Sequence, residues 1–84
     1  MRNITTFLIN LDNDLWDLMG IKAGSDFMNE DGTFNSMFDA YVKAVKNELE
    51  AFGIEKVSNK TYEALEDKNY HTMNRALKAL GIVA

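Results

Sequence analysis

The chain has 84 residues, which is the size of a single domain. Hydrophobic residues make up 46% of it and charged residues 26%, so its apolar content is too high for an intrinsically disordered chain. The absence of cysteine excludes disulfide-stapled scaffolds and thiolate metal sites, and the net charge of −4 disfavours nucleic acid as a partner.

Residues 4–19 are predicted to form the first helix. Five apolar residues recur there at alternating spacings of four and three, which is typical of an amphipathic helix: Ile4, Leu8, Leu11, Leu15 and Leu18. The less favoured alternative is a short strand over residues 4–9, which are rich in β-branched and aromatic side chains, with the helix beginning at Asp12.

Three further helices follow in the sequence. Apolar residues keep helical spacing from Phe34 to Phe52, which predicts a long second helix over 34–52 with Thr33 or Asn35 as its cap. The pattern then predicts a short helix over 59–66 and a last helix over 70–80, separated by a tight turn. We therefore predict an all-α bundle of three to four helices in a single domain, 1–84, that exists as a monomer or homodimer.

A recurring tripeptide marks where helices end. An apolar residue, a glycine and an isoleucine occur in succession at Met19–Ile21, Phe52–Ile54 and Leu80–Ile82. A glycine just past a helix can adopt the left-handed conformation that closes the last turn, and the following apolar residue packs back on that turn. We expect Ile21, Ile54 and Ile82 to fold back in this way.

Acidic residues concentrate in the first half of the chain. Residues 1–42 carry seven acids and two bases, whereas residues 43–84 carry six acids and seven bases. Asp14 and Asp17 fall near the end of the first predicted helix, where the helix dipole disfavours a carboxylate. Two interpretations stay open: an acidic surface that serves solubility, and a negative patch that docks on a basic surface.

The segment from Lys22 to Asn35 combines acidic and large apolar residues. Asn29-Glu30-Asp31-Gly32 is bracketed by a group of aromatic and methionine residues: Phe27, Met28, Phe34, Met37 and Phe38. We expect these side chains to fold inward and seal the core. The alternative is a binding surface with apolar anchors inside a charged rim.

Metal and catalytic motifs are not apparent. If Gly32 were position 6 of a calcium loop, positions 1 and 12 would be Phe27 and Phe38, which offer no oxygen ligand. His71 is the single histidine and is expected at the surface or as a cap, and the five glycines form no phosphate-binding loop. We therefore predict a protein that is not an enzyme and that has no metal or cofactor.

The sequence favours a protein partner. No stretch approaches the roughly 20 apolar residues of a membrane span, so we expect a soluble, cytoplasmic protein without a membrane partner. Bacteriocin immunity proteins and phage-encoded inhibitors share this small size, acidity and helical character, an analogy of composition only. We predict a module of this inhibitor or immunity type that occludes a basic surface of its partner. A surface that binds nucleic acid is one candidate for that basic surface. The predicted contact residues are Asp12, Asp14, Asp17, Asp26, Glu30 and Asp31, with Trp16, Phe27 and Met28 as apolar anchors if exposed.

The alternative function is DNA binding by a helix-turn-helix. The last two predicted helices are joined by a tight turn, and the second carries residue types that can reach phosphates or base edges: Thr72, Asn74, Arg75 and Lys78. One arginine and one lysine neutralise few phosphates, and the chain as a whole is acidic. Nucleic acid is therefore the less favoured partner.

Overall fold

The fold is an all-α bundle, as the sequence predicts. The computed structural model describes residues 3–84. Within them, α1 spans Ile4–Met19, α2 Ser36–Ala51, α3 Asn59–Asp67 and α4 His71–Ala79, and a short 3₁₀ turn occupies Gly24–Phe27. Every helix boundary lies within two residues of its predicted position.

Side-chain caps determine where three of the helices begin. The Asn3 side chain accepts a hydrogen bond from Thr6 N at 3.0 Å, so residues 4–9 belong to α1 and the alternative strand is not formed. The Asn35 side chain accepts from Met37 N at 2.9 Å, which starts α2 two residues later than predicted. Ser58 caps α3 in the same way through Thr61 N. Each cap satisfies a backbone donor that the helix leaves free.

All four helices end with the same backbone motif. The residue just past the last turn has a left-handed conformation, with φ near +70° at Gly20, Gly53 and Gly81 and +65° at Asn69. The next amide then donates back to a carbonyl five residues earlier, as in a Schellman motif. These donor and acceptor pairs are Ile21 and Trp16, Ile54 and Leu49, Tyr70 and Leu65, and Ile82 and Leu77. The predicted glycine stops are confirmed, and Asn69 supplies a fourth stop that the tripeptide pattern does not reveal.

The core is formed by one face of each helix together with Phe27 of the 3₁₀ turn. Tyr41, Val45 and Leu65 are fully buried, and Phe27 is 1% exposed. The apolar stripe of α1 is inward at Leu8, Leu11 and Leu15, but Leu18 is 82% exposed. The prediction that Leu18 continues this stripe is wrong, because the chain reverses at Gly20 and Ile21 is buried beside the end of the helix instead.

The C-terminus is tied to the segment between α2 and α3. Val57 N donates to Ile82 O and Ala84 N donates to Val57 O, both at 2.9 Å. These two bonds form an isolated parallel bridge between Val57 and Val83. Val57 is 1% exposed, so this contact closes the end of the bundle around a buried side chain.

Candidate interaction surface

A compact loop joins the 3₁₀ turn to α2. Asn29 N donates to Thr33 O at 2.7 Å, and Gly32, whose φ is +87°, donates to Asn29 O at 3.0 Å. Met28 and Phe34 face each other in an isolated antiparallel bridge. Because directly opposed residues of an antiparallel pair project to the same side, the loop presents Met28 and Phe34 together and carries residues 29–33 at its tip.

Two of the predicted contact acids hold the backbone in shape, Asp31 within this loop and Asp26 at the start of the 3₁₀ turn that precedes it. Asp31 accepts hydrogen bonds from the Thr33 hydroxyl at 2.6 Å and from Thr33 N at 3.0 Å, and these bonds lower its pKa. Asp26 accepts from Lys22 N at 2.8 Å and Ala23 N at 3.3 Å, which likewise lowers its pKa. Both carboxylates therefore carry a negative charge on an exposed loop, and their oxygens also have a structural role.

The loop and the start of α2 expose an apolar face. Met28 is 41% exposed, Phe34 39% and Met37 37%, and we call these three residues the loop face. The Phe34 ring stacks on the buried Phe38 ring at a centroid distance of 4.0 Å, and the Arg75 guanidinium lies 5.8 Å from the Phe34 centroid. The expectation that the whole apolar group turns inward is wrong for the loop face and right for Phe27 and Phe38.

A second exposed surface lies on α1. Asp14, Asp17 and Leu18 are all exposed and lie at spacings of three and four residues, so they are neighbours on one side of the helix. We call them the α1 face. With Leu18 at 82% exposure, this face offers a prominent apolar side chain one turn from the Asp14 carboxylate.

Three predicted contact residues are not surface residues. Asp12 is 5% exposed and Phe27 is 1% exposed, so neither can belong to a flat docking surface, and Trp16 is only half-buried. Phe27 packs against the Trp16 and Tyr41 rings, which is why it faces the core. Of the predicted set, the structure leaves Asp14, Asp17, Asp26, Met28, Glu30 and Asp31 exposed.

Asp12 takes part in a buried polar pair that the sequence does not reveal. The Tyr41 hydroxyl donates to Asp12 Oδ1 at 2.5 Å and also approaches the Met73 sulfur at 3.8 Å. Burial raises the pKa of Asp12, and the Tyr41 and Trp16 donors oppose that rise only in part. The Trp16 indole N–H is itself buried and has no hydrogen-bond partner of good geometry, although it lies near enough to act on the carboxylate.

The residues of the DNA-binding alternative are not presented together. Asn74 is 1% exposed and donates to Tyr62 O at 3.0 Å and to Glu66 Oε2 at 2.9 Å, so it joins α4 to α3 instead of facing outward. Arg75 lies over the Phe34 ring, Lys78 lies over the Tyr62 ring, and Thr72 is half-buried. The prediction of Asn74 as a base-reading residue is wrong, because its amide is used inside the helix pair.

The carboxylates of the first half of the chain make no ion pair within 4.0 Å among residues 3–84, although Lys22 acts electrostatically on Asp26. The close contacts between basic and acidic side chains in that range join Lys46 to Glu50 and the exposed His71 to Glu66, both in the second half. In the same residues, no group of three or more histidine, aspartate or glutamate side chains is arranged to hold a metal ion. No helix in that range is long and apolar enough to cross a membrane.

Comparison of the chain with family models, with curated proteins and with solved structures finds no match.

Proposed function

We propose that the protein is a small interaction module of the inhibitor or immunity type, which occludes a basic surface of a partner protein. One observation carries the proposal: exposed carboxylates that make no ion pair within 4.0 Å in the part of the chain that the structure describes occur together with exposed apolar side chains on two surfaces. On the α1 face these are Asp14, Asp17 and Leu18, and on the loop Glu30 is close in sequence to Met28. Apolar anchors surrounded by charge are the composition of interface hot spots.

The charge distribution gives the proposal a physical basis. Carboxylates at the end of a helix face the negative pole of its dipole, and α1 has no basic residue in its last turn to offset them. A basic partner would supply the missing positive charge, and the field of the unpaired acids would speed its approach. Association is therefore expected to be fast at low salt and to slow as salt is raised.

A charge-neutralising variant with a matched control tests the proposal. The variant D14N/D17N/E30Q removes three exposed acids that make no hydrogen bond with the loop, and E48Q/E55Q/E63Q removes three exposed acids from the second half. Partner capture from a lysate of the source organism should yield one stoichiometric protein with wild type and with the control, and much less with D14N/D17N/E30Q. Equal capture by both variants would contradict a docking role for these acids.

The apolar anchors can be tested separately from the charges. L18S replaces a side chain that is 82% exposed, so the stability of the fold should change little. M37S removes part of the loop face, which is also exposed. If these residues are anchors, the complex with the captured partner should dissociate faster, because loss of apolar contacts affects the dissociation rate more than the association rate. Unchanged dissociation for both variants would restrict the interface to the charged residues.

DNA binding by α3 and α4 is the second candidate. It is favoured by the short connection between the two helices and by the exposure of Arg75 and Lys78 on α4. A DNA-binding protein of this kind would bind a duplex at low salt, and R75A or K78A would weaken binding and reduce its salt dependence. We expect no duplex binding at low salt. Salt-sensitive binding lost in R75A would instead favour this candidate over the occlusion of a protein.

A further inference from the structure

A polar groove lies between α1 and the α3–α4 turn. Its volume is about 440 Å³, within the range of about 300–1,000 Å³ that is usual for ligand sites. Asp12, Asn13 and Trp16 of α1 line one side, and Lys68, Asn69, Tyr70, His71 and Thr72 line the other, with Gly24 at the edge. The groove is separate from the α1 face and from the loop face.

The groove contains a buried acid without a cation. Asp12 is 5% exposed, and it makes no ion pair within 4.0 Å among the residues that the structure describes. Its hydrogen bond from the Tyr41 hydroxyl fixes the carboxyl group in place but supplies no positive charge. A buried charge is costly unless it is paired, so a cation that enters the groove would relieve this cost.

Aromatic side chains flank this acid. The half-buried rings of Trp16 and Tyr70 both line the groove. Trp16 is held by edge contact with Phe27 at 5.7 Å between centroids, and the Tyr70 hydroxyl accepts a long hydrogen bond of 3.5 Å from Asn13. A carboxyl group and two aromatic rings that line the same groove match a flat cation, because guanidinium groups stack on rings and also donate hydrogen bonds to carboxylates.

The basic residues at the rim do not close the groove to a cation. His71 Nδ1 lies 3.2 Å from Glu66 Oε1, so a carboxylate already faces that imidazole. Lys68 is exposed, and its flexible stem lets the ammonium group stay in water away from Asp12. An anionic ligand, in contrast, would be repelled by the Asp12 carboxylate.

We propose that this groove binds the guanidinium group of an arginine side chain of the partner protein, with Asp12 as its counter-ion and Trp16 and Tyr70 as its aromatic walls. The inference rests on the proposed function, which requires a partner with a basic surface. It adds the anchor by which that partner is recognised. The α1 face and the loop face, which lie outside the groove, would contribute general charge complementarity, whereas the groove selects arginine.

Two small probes test the groove without the partner. N-acetyl-arginine amide carries the guanidinium group, and N-acetyl-citrulline amide replaces it by a neutral urea of similar shape. Trp16 is the single tryptophan of the chain, so its fluorescence and its indole N–H resonance both report on the groove. We expect a saturable response to the arginine probe, with an affinity in the millimolar range, about 1–10 mM, and at least about tenfold weaker binding of the citrulline probe.

Two variants of equal charge make the test specific. D12N should weaken binding of the arginine probe at least about tenfold, the loss expected when an ion pair of about 1.4 kcal/mol or more is removed. E48Q removes the same charge from an exposed position on α2, outside the groove and outside both proposed docking faces, and should leave the affinity unchanged. If D12N does not fold, Y70L keeps the acid and removes one aromatic wall, and it should weaken binding several-fold.

The outcomes separate this inference from the proposed function. Absence of saturable binding, equal binding of the two probes, or full affinity in D12N would overturn the arginine site. If the arginine probe does not bind but capture of the partner depends on Asp14, Asp17 and Glu30, only the arginine site in the groove is refuted. If the probe binds as expected and no partner depends on those acids, the arginine site stands and the occlusion of a basic surface is refuted.

Discussion

Removal of the Tyr41 hydroxyl is the sharpest test of the buried pair with Asp12. Y41F keeps the ring, which packs against Phe27, and deletes the donor 2.5 Å from Asp12 Oδ1. A hydrogen bond to a charged group contributes about 1.5–3 kcal/mol to stability. In a domain of this size, each kcal/mol of lost unfolding free energy lowers the melting temperature by about 4–8 °C. Y41F should therefore lower the melting temperature by roughly 6–24 °C.

The pH dependence of this loss follows from the charge of Asp12. Above the pKa of Asp12, Y41F removes a donor from a carboxylate, whereas below it the variant removes only a bond between neutral groups, which contributes about 0.5–1.5 kcal/mol. Burial raises the pKa of Asp12, and loss of the Tyr41 donor raises it further. The destabilisation by Y41F should therefore be largest near neutral pH and should decrease on acidification.

A double-mutant cycle provides the measurement. Thermal unfolding of wild type, Y41F, D12N and D12N/Y41F at neutral pH isolates the coupling between the two side chains. In D12N the Tyr41 hydroxyl faces a neutral amide, so Y41F should cost less there, with a coupling energy of about 1 kcal/mol or more. Purely additive effects of the two substitutions would refute the pair as an energetic unit, even though the two groups lie in contact.

Three further predictions concern stability. G53A should destabilise the protein by about 1–2 kcal/mol because φ at Gly53 is +70°, whereas G24A, outside the left-handed region and facing open space, should stabilise it by about 0.4–1 kcal/mol. Thermal unfolding should show these opposite signs, and a common sign would contradict the backbone explanation. N74A removes the bonds to Tyr62 O and Glu66 Oε2 and should cost at least about 1 kcal/mol, and an unchanged melting temperature would contradict the role of Asn74 in joining α4 to α3. Burial raises the pKa of Asp12 in the folded state above its usual value of 3.8. As the pH falls through the folded-state pKa towards 3.8, wild type should therefore become more stable relative to D12N, and this added stability should disappear as the pH rises again. Urea unfolding at several pH values measures this difference, and a gain of the opposite sign would show that the Tyr41 bond outweighs burial.

The positions of the helices could be predicted because their signals are local. An apolar stripe needs only neighbours three and four residues away, and a helix stop needs only a residue that tolerates a positive φ. Gly20 and Gly53 were therefore recognisable from adjacent residues. Asn69 was not, because asparagine adopts the left-handed conformation less often than glycine and has many other roles.

The candidate surfaces were harder to predict because exposure depends on the other helices. Leu18 has the spacing of a core residue but is exposed, since no element covers the end of that stripe. Asp12 has the type of a surface residue but is buried, since Tyr41 reaches it from α2, 29 residues away. In the loop, the Met28–Phe34 bridge accompanies the exposure of both of these side chains, whereas the neighbouring Phe27 is buried in the core.

The amino-acid sequence alone determined the helix positions to within about two residues, the all-α class and the excess of acid in the first half, since each depends on composition or on residues within one or two turns. Which of those acids face solvent, and which one lines a groove together with aromatic residues, was decided only when the helices packed together. The physical reason is that burial of a side chain is a property of contacts between distant segments, and helical periodicity contains no information about them.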